Sequence, residues 1–422
     1  MPSIAERIYA ANRGRIPHLL EKKYVALSES PFRFFRGTAH LFYEDWSFHL
    51  PHLTVPNVWS CADVHLENFG SYKGNNRLVY FDLNDFDEAV LAPCVMDLAR
   101  FATSIHLAAN ALRLRTSAIS ELVALALLSY SQTLAQGKAQ YIERDTALGM
   151  VRTLLKTVQK RTRREFLDKR TEKRKGKRRF FLDGTRYEAA SQTERDNVQA
   201  ALHLVETEIR KGYSSPEARA LEIINDNIID VRFFDFTILD VAHRIAGTGS
   251  LGVERYAVLI EGKGSPDSNY ILDLKEATTT AATPALGRVN GLVQPIWENE
   301  AERSVRIQER IQAATPALLH TARMGDKSYI LRELQPAQDK LNLTEQWNGN
   351  MALLQGFIAT AAQVLAWAHL RGSGREGSAC ADEIMDFGAA REKWQQALTD
   401  YAREYAARVH EDWQAFRGER AH

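Results

Sequence analysis

The sequence has few cysteines and no marked excess of charge of either sign. Only three cysteines occur in 422 residues, and the wide spacing of Cys61, Cys94 and Cys380 predicts neither a disulfide framework nor a structural zinc site. Lys plus Arg total 54 and Asp plus Glu total 53, which leaves a net charge of +1. This balance gives no whole-molecule case for binding a nucleic acid or a membrane surface.

The sequence also lacks long hydrophobic runs, and its first residues do not predict a secretory leader. The most apolar run, at 122–128, is far shorter than the roughly 20 apolar residues that cross a bilayer. Residues 1–15 contain no apolar core followed by a small-residue cleavage site. We therefore expect a cytoplasmic protein without membrane partners.

What the sequence does contain predicts a globular chain with helical ends and a strand-rich middle. Hydrophobic residues make up 45% of the chain, and its length predicts two or three compact units. Apolar residues recur at helical spacing at 97–134, 351–370 and 382–416. Runs of β-branched and aromatic residues around glycine turns predict strands between about 231 and 340. We predict an α+β fold divided at 1–230, 231–340 and 341–422.

The motif Asp63-Val-His-Leu-Glu-Asn68 carries the strongest chemical signal. A protein-kinase catalytic loop has the same spacing: its aspartate accepts or orients the acceptor hydroxyl, and its asparagine oxygen helps to hold Mg²⁺. We therefore predict Asp63 as the catalytic base and Asn68 as a metal ligand. His65 is expected to hydrogen-bond the loop backbone, because no second histidine pair with metal-ligand spacing occurs.

A second acidic segment follows a predicted hairpin whose second strand covers 77–81. Asp82 and Asp85 compete there for a metal ion, although such residues often only cap turns. In small-molecule kinases resembling aminoglycoside and choline kinases, the metal aspartate is likewise followed by a proline and a helix that starts Asp-Leu-Ala, which here begins at Asp97. This resemblance favours Asp85 and leaves Asp82 as a second ligand or loop cap. Ala62 stands where those kinases usually have glycine, which can change the backbone angles of the loop.

A glycine motif later in the chain predicts a phosphate-binding hairpin. Its residues fit G-x-G-x-x-G, a pattern shared by dinucleotide-binding turns and kinase phosphate loops: Gly247, Thr248, Gly249, Ser250 and Gly252. A strand-like run follows at 255–261, where a dinucleotide fold would start a helix, so the kinase arrangement is favoured. The next predicted strand, at 270–274, presents Lys275, which we expect to pair with nucleotide phosphates and with a glutamate on a helix.

Two acidic residues complete the predicted nucleotide site. A helix is predicted at 298–312, in which Glu302 and Glu309 lie three and four residues from apolar Val305, so either could face inward and pair with Lys275. We prefer Glu302. The strand segment at 329–336 is expected to meet the adenine and adds Glu333 to the nucleotide-binding residues.

The order of these motifs is inverted relative to ordinary kinases, which suggests circular permutation. The chain also resembles an uncharacterised bacterial family, the domain-of-unknown-function family numbered twenty-two fifty-two, whose members look kinase-related. The resemblance covers most of the chain and rests on SPFRFFRG, CADVHLENFG, FDLNDFDEA, DLARFATS, GTGSLG, LDLKEA, LRELQP, LAWAHLRG and a helix with Arg303, Gln308 and Gln312. It implies a permuted, protein-kinase-like fold of two lobes, with a large helical lobe.

Basic residues outside these motifs carry weaker signals. The stretch at 153–181 is dense in Lys and Arg, and its part at 156–179 could attract an anionic acceptor or RNA. It lacks regular aromatic interleaving and a helix–turn–helix pattern, so we interpret it as a mobile, solvated insertion. Arg33 and Arg36 are predicted either to brace the active-site acids or to lie on the surface.

Taken together, the motifs predict Mg²⁺-dependent transfer of a phosphoryl group from ATP to a hydroxyl-type acceptor, a small molecule rather than a protein. Three alternatives stay open. The first is AMP transfer from a nucleotide bound in another orientation, and the second is a nucleotide-sensing pseudokinase, which would not need to keep Asp63. The third is a metal hydrolase acting through Asp63 and His65, which leaves Lys275 and the glycines unexplained.

Overall fold

Helices form both ends of the chain, and most strands lie between them. The computed structural model describes residues 2–420 except 110, 214–235, 290, 336–339 and 342. Its helices are α1 (Ile4–Ala11), α2 (Pro17–Glu29), α3 (Pro31–Gly37), α4 (Ala39–Glu44), α5 (Cys94–Ala108), α6 (Thr116–Gln136), α7 (Gly149–Lys160), α8 (Arg163–Asp168), α9 (Gln192–Tyr213), α10 (Thr283–Leu286), α11 (Glu300–Ile311), α12 (Leu343–Gln346), α13 (Met351–Arg371), α14 (Ala381–Ala389) and α15 (Gln395–Arg420). Its strands are β1 (Asn57–Ser60), β2 (Phe69–Lys73), β3 (Val79–Leu83), β4 (Val90–Pro93), β5 (Ile142–Glu143), β6 (Thr171–Arg174), β7 (Lys177–Phe180), β8 (Tyr187–Ala189), β9 (Ile238–Arg244), β10 (Arg255–Ile260), β11 (Tyr270–Glu276), β12 (His320–Met324) and β13 (Lys327–Glu333). The predicted α+β class is confirmed.

The strand-rich middle builds an antiparallel sheet in the order β12-β13-β11-β10-β9-β8. Its outer face packs on α9, where Val198 and Leu202 share a core with Val258 and Leu272. Because side chains alternate along a strand, the inner face carries a different set. That face carries Lys275 on β11, which lies directly opposite Arg255 on β10. The outer face of the sheet is therefore apolar, and the inner face carries charged residues such as Lys275 beside apolar ones such as Leu259 and Ile271.

Two smaller sheets carry the acidic motifs. β2 and β3 form an antiparallel hairpin, as the turn residues at 73–76 predict, and β1 pairs with β4. Asp63 follows the end of β1, and Asp85 follows the end of β3. The two pairings therefore deliver the two acidic loops to the helical part of the molecule.

The helical core is formed by elements from both ends of the chain. α13 is buried over most of its length, as its apolar pattern predicts, and packs with α6, α5 and α15 in one hydrophobic cluster. The helix predicted at 382–416 is two helices, because a 3₁₀ turn at Arg391–Lys393 separates α14 from α15. Trp394 follows this turn and stacks on Phe387 at 5.0 Å between ring centroids. The buried Trp394 thus anchors the bend.

The basic stretch at 153–181 is built into the structure, which corrects its interpretation as a solvated insertion. It forms α7, α8 and the β6–β7 hairpin, and Arg178 is fully buried between Asp168 and Asp267 at 2.7 and 2.6 Å. Leu167 and Phe180 pack beneath the six-stranded sheet. β8 and α9 also belong to this sheet unit although they precede residue 231. The predicted boundary at 230/231 itself lies outside the described residues.

Two helices, α6 and α13, are each 21 residues long and apolar enough to cross a membrane by length and composition alone. Buried residues make up 44% of the most apolar window of α6 and 56% of that of α13. The two helices pack on each other, and core helices of soluble proteins have the same character. They are weak evidence for a membrane, and the cytoplasmic location stays a prediction.

Candidate functional site

A cavity of about 610 Å³ lies where the acidic loops meet the six-stranded sheet. Asp63, Asp85, the glycine motif and Lys275 all line this cavity. Along the chain, the two aspartates lie far before the glycine motif and Lys275. The loop between α1 and α2 and parts of α2 to α4 close another side. Four of the predicted elements therefore share one cavity despite their separation along the chain.

The loop that carries Asp63 is held in an unusual backbone conformation. Ala62 has a φ of 56°, in the left-handed region that favours glycine. Its N–H donates to Ser60 Oγ at 2.9 Å and to Asp97 Oδ1 at 3.0 Å, and its carbonyl accepts from the Tyr43 hydroxyl. An alanine in this region costs about 1–2 kcal/mol, so these bonds must over-determine the turn. The alanine at the usual glycine position thus adopts the glycine-like conformation.

A buried polar chain extends from this loop into the helical core. Asp97 Oδ2 lies 3.2 Å from His369 Nε2, and His369 Nδ1 lies 2.7 Å from the Tyr130 hydroxyl. All three side chains are inaccessible to solvent. Asp97 comes from DLARFATS and His369 from LAWAHLRG, so two segments that carry the family resemblance meet behind the Asp63 loop. Through Asp97 they hold the N–H of Ala62, the residue before Asp63.

The Asp63 carboxylate lines the cavity and pairs with a fully buried arginine. Arg100 Nη2 lies 2.5 Å from Asp63 Oδ1, and the guanidinium stacks on the ring of Phe35 at 4.2 Å. Burial raises the pKa of Asp63 to about 7; the charges of Asp85 and Glu88 raise it too, and Arg100 opposes this shift. A carboxylate that titrates near neutral pH is suited to accept a proton from an acceptor hydroxyl.

Asn68 and His65 both serve the backbone of this loop. Asn68 Nδ2 donates to the carbonyls of Asp63 at 2.9 Å and Asp85 at 3.3 Å, while its oxygen accepts from the Asp85 N–H at 2.8 Å. The carboxamide predicted to bind metal therefore ties the two acidic loops together in this structure. His65 Nδ1 accepts the Glu67 N–H at 3.1 Å, so the predicted backbone role of His65 is confirmed.

The structure separates the two aspartates that compete for the metal. Asp82 is buried outside the cavity, where its carboxylate accepts from Arg371 at 2.9 Å and from the Ala313 N–H at 3.0 Å. The Asp85 carboxylate lines the cavity and makes no hydrogen bond or ion pair with any residue that the structure describes. Burial would raise the pKa of Asp85, but positive charges, led by Lys275 and Lys340, lower it to about 2.

Lys275 lies in the cavity beside the acidic loop, but its partner is not the predicted glutamate. Its ammonium contacts the Asp87 carboxylate, two residues beyond Asp85. Glu302 lies in the first turn of α11, where its carboxylate accepts the Glu298 N–H at 2.7 Å, and Glu309 lies 3.2 Å from Arg306. Neither glutamate lines the cavity, so the prediction that Glu302 pairs with Lys275 is corrected. Helical spacing identified the helix but not the face that meets the sheet.

Arg303 on α11 and Gln312, the residue that follows α11, both meet the acidic loop. Arg303 donates to the carbonyls of Asp87 at 2.8 Å and Thr278 at 3.1 Å. Gln312 donates to the Leu83 carbonyl at 2.5 Å. Arg303 and Gln312 therefore fix the backbone on both sides of Asp85.

The glycine motif connects β9 to β10 as a hairpin, and its loop lines the cavity. Gly247 and Gly252 have φ values of 80° and 87°, which a residue with a side chain adopts only with strain. Arg15 and Lys23 donate to the Gly249 carbonyl at 2.7 and 2.8 Å. The N-terminal helices, which sequence reasoning left without a role, therefore hold this loop in place.

Glu333 is not part of this cavity, which corrects its prediction as a nucleotide-binding residue. Its carboxylate lies 3.1 Å from Arg163 and lines a second cavity of about 380 Å³. The reason is strand alternation: Arg332 points to the inner face of the sheet, and the next side chain along β13 points elsewhere. Of the two arginines in SPFRFFRG, Arg36 contacts Glu67 and lines the cavity, whereas Arg33 pairs with Glu29 at 2.7 Å.

The charged side chains of the cavity include candidate ligands for a metal ion and for an anion. No group of three His, Cys, Asp or Glu side chains converges as a metal site within the described ranges. Mg²⁺ bound with a nucleotide needs only one or two carboxylates, because phosphates and waters supply its other ligands. Asp85 offers an ionised carboxylate without a partner there. Seven Lys and Arg side chains against five Asp and Glu line the cavity, an excess that suits an anionic ligand.

The sequence matches over residues 15–419 a family described as an uncharacterized protein conserved in bacteria (DUF2252). The chain belongs to this family. No match to the chain was found among curated proteins or among solved structures.

Proposed function

We propose that the protein is a Mg²⁺- and ATP-dependent phosphotransferase of a permuted, two-lobed kinase-like fold, acting on a hydroxyl-type small molecule. One observation carries the proposal: the Asp63 loop, Asp85, the glycine hairpin and Lys275 line one cavity although their order along the chain is inverted. Phosphoryl transfer requires these groups together, since it depends on positioning and charge neutralisation.

Each residue has a role that follows from its contacts. Asp63, held by Arg100 and titrating near neutral pH, orients the acceptor hydroxyl and takes its proton. Lys275, fixed by Asp87, presents its ammonium to the phosphates. The glycine hairpin covers them without side-chain bulk. Asp85 would hold Mg²⁺, which when bound neutralises charge on the transferred group.

The first experiment follows the fate of the phosphates. The protein is incubated with Mg²⁺ and ATP labelled at either the γ- or the α-phosphate, together with a metabolite extract. Transfer of the γ-label to small molecules supports the phosphotransferase. Tight binding of ATP without transfer of either label supports the pseudokinase, and absence of ATP binding contradicts the proposal.

Two variants then assign the roles, with Asp326→Asn on the exposed β12–β13 turn as the matched control. Asp63→Asn should reduce turnover about 10²–10⁴-fold and leave ATP affinity nearly unchanged. Asp85→Asn should weaken binding of Mg²⁺–ATP as well as turnover, because it removes the charge of a metal ligand. Since Asp63 is the partner of buried Arg100, circular dichroism must confirm that its variant is folded. Normal turnover in a folded Asp63→Asn protein excludes this residue as the base.

A second candidate, transfer of AMP, would use the same cavity. Cations line it both beside the glycine hairpin, at Arg15 and Lys23, and beside the acidic loops, at Lys275 and Lys340. This spread of positive charge suits a polyphosphate in either orientation, and the reversed orientation would present a different phosphate to the acceptor. Retention of the α-label on acceptors would establish this activity.

A further inference from the structure

Lys340 is a cation in the cavity that no sequence motif indicated. It follows β13 along the chain and is fixed by a backbone bridge to Gly70, the second residue of β2. Its side chain lines the same cavity as Asp63, Asp85 and Lys275. The backbone bridge places Lys340 on the small sheet of the acidic loops, whereas Lys275 belongs to the six-stranded sheet.

The two lysines differ in how their charges are compensated. Lys275 contacts the Asp87 carboxylate. The ammonium of Lys340 makes no hydrogen bond or ion pair with any residue in the described part of the chain. Burial lowers the pKa of Lys340 to about 8, while the charge of Asp85 acts to raise it. A partly buried ammonium without a partner is costly for the free protein, and an anionic ligand would relieve that cost.

We propose that Lys340 is a second phosphate-binding lysine, which contacts the polyphosphate of the nucleotide beside Asp85 while Lys275 contacts it from the six-stranded sheet. This inference rests on the proposed function, because it assigns a further ligand to the same nucleotide. In this arrangement the six-stranded sheet supplies Lys275, and the small sheet of the acidic loops supplies Lys340. Binding of the polyphosphate would then link the two parts of the molecule across the cavity.

A purely structural role makes a different prediction. If Lys340 only balanced the charge of Asp85 in the free protein, its loss would lower stability without ligand and would not change the preference for polyphosphates. If Lys340 binds phosphate, its loss removes an uncompensated cation from the free protein and weakens the affinity for every ligand with a polyphosphate. AMP, which has a single phosphate, should be affected less than ATP.

The test compares Lys340→Met and Lys340→Arg with Lys263→Met, a control on the exposed β10–β11 loop. Binding of ATP, AMP and inorganic tripolyphosphate is measured with Mg²⁺ by calorimetry, and melting temperature is measured without ligand. We expect Lys340→Met to weaken ATP and tripolyphosphate about 10- to 100-fold, which is the loss of one charged hydrogen bond. Lys340→Arg should restore part of the affinity, and the control should bind as the wild type does.

Three outcomes would overturn the inference or separate it from the proposed function. Unchanged ATP and tripolyphosphate affinity in Lys340→Met, with a lower melting temperature than the control, assigns Lys340 a structural role. If the wild type binds tripolyphosphate but not ATP, and Lys340→Met weakens that binding, the phosphate site stands and the proposed function fails. If the wild type binds neither ligand, both are wrong.

Discussion

The contact between Lys275 and Asp87 allows the shared cavity to be tested without any knowledge of the substrate. The two residues are 188 positions apart, and their side chains are 7% and 29% exposed. Two opposite charges about 4 Å apart attract by about 4 kcal/mol at an effective dielectric of about 20. Desolvation of both groups and the partial exposure of Asp87 reduce this gain. We expect a coupling free energy of about 1–3 kcal/mol between them.

The assay is a double-mutant cycle on the free energy of unfolding in urea. Lys275→Met leaves the Asp87 carboxylate without its cation and removes a positive charge that acts on Asp85, so it should destabilise the protein by about 2–4 kcal/mol. Asp87→Asn should cost less, because it is the more exposed partner. The double variant should be less destabilised than the sum of the two single variants.

The control cycle uses Lys275→Met with Asp326→Asn, an exposed aspartate on the β12–β13 turn. That pair should be additive within about 0.5 kcal/mol, as distant sites are. If Lys275 and Asp87 are equally additive, the two side chains do not meet in solution. The reasoning that joins the glycine hairpin, Lys275 and the acidic loop in one site would then be refuted.

Three further predictions concern the loop that carries Asp63. Ala62→Gly should stabilise the protein by about 0–1 kcal/mol in thermal melts, because the strain of the left-handed backbone that glycine relieves exceeds the conformational entropy that glycine loses on folding. Clear destabilisation would contradict the strained turn. Asp97→Ala should cost about 3–5 kcal/mol in urea unfolding, since it leaves the Ala62 N–H and buried His369 without their partner, and a loss below 1 kcal/mol would exclude that network. The pKa of Asp63 is about 7, above its ordinary value, so the folded protein binds a proton there as the pH falls. Turnover should therefore decrease as the pH falls through about 7, whereas the contribution of Asp63 to stability should increase; a pH–rate profile that is flat from pH 5 to 8 would exclude Asp63 as the base.

Local patterns predicted the elements that depend on neighbouring residues. The turn residues at 73–76 and the strand pattern at 77–81 predicted the β2–β3 hairpin, and the glycine spacing followed by a strand predicted the β9–β10 hairpin. The apolar sequence of α13 predicted a buried helix. The choice of Asp85 over Asp82 came from a resemblance, and it agrees with the exposure of Asp85 to the cavity.

Other features could not be predicted because they depend on which distant element faces a given side chain. The sequence predicted a helix at 298–312, but only packing shows that Arg303 faces the acidic loop and that Glu302 does not. The basic stretch looked solvated, and Arg178 is buried because two aspartates, one of them 89 residues away, lie beside it.

The sequence by itself therefore determined the α+β class, the long helices, the strands that flank the acidic and glycine motifs, and the candidate residues of the proposed site. It could do so because periodicity and turn residues act within one element. Only the tertiary structure decided that Asp87 is the partner of Lys275 and that Asn68 ties two loops together. It alone placed Lys340 in the cavity. Such partners are chosen by packing between elements far apart in the chain, and no local pattern encodes that choice.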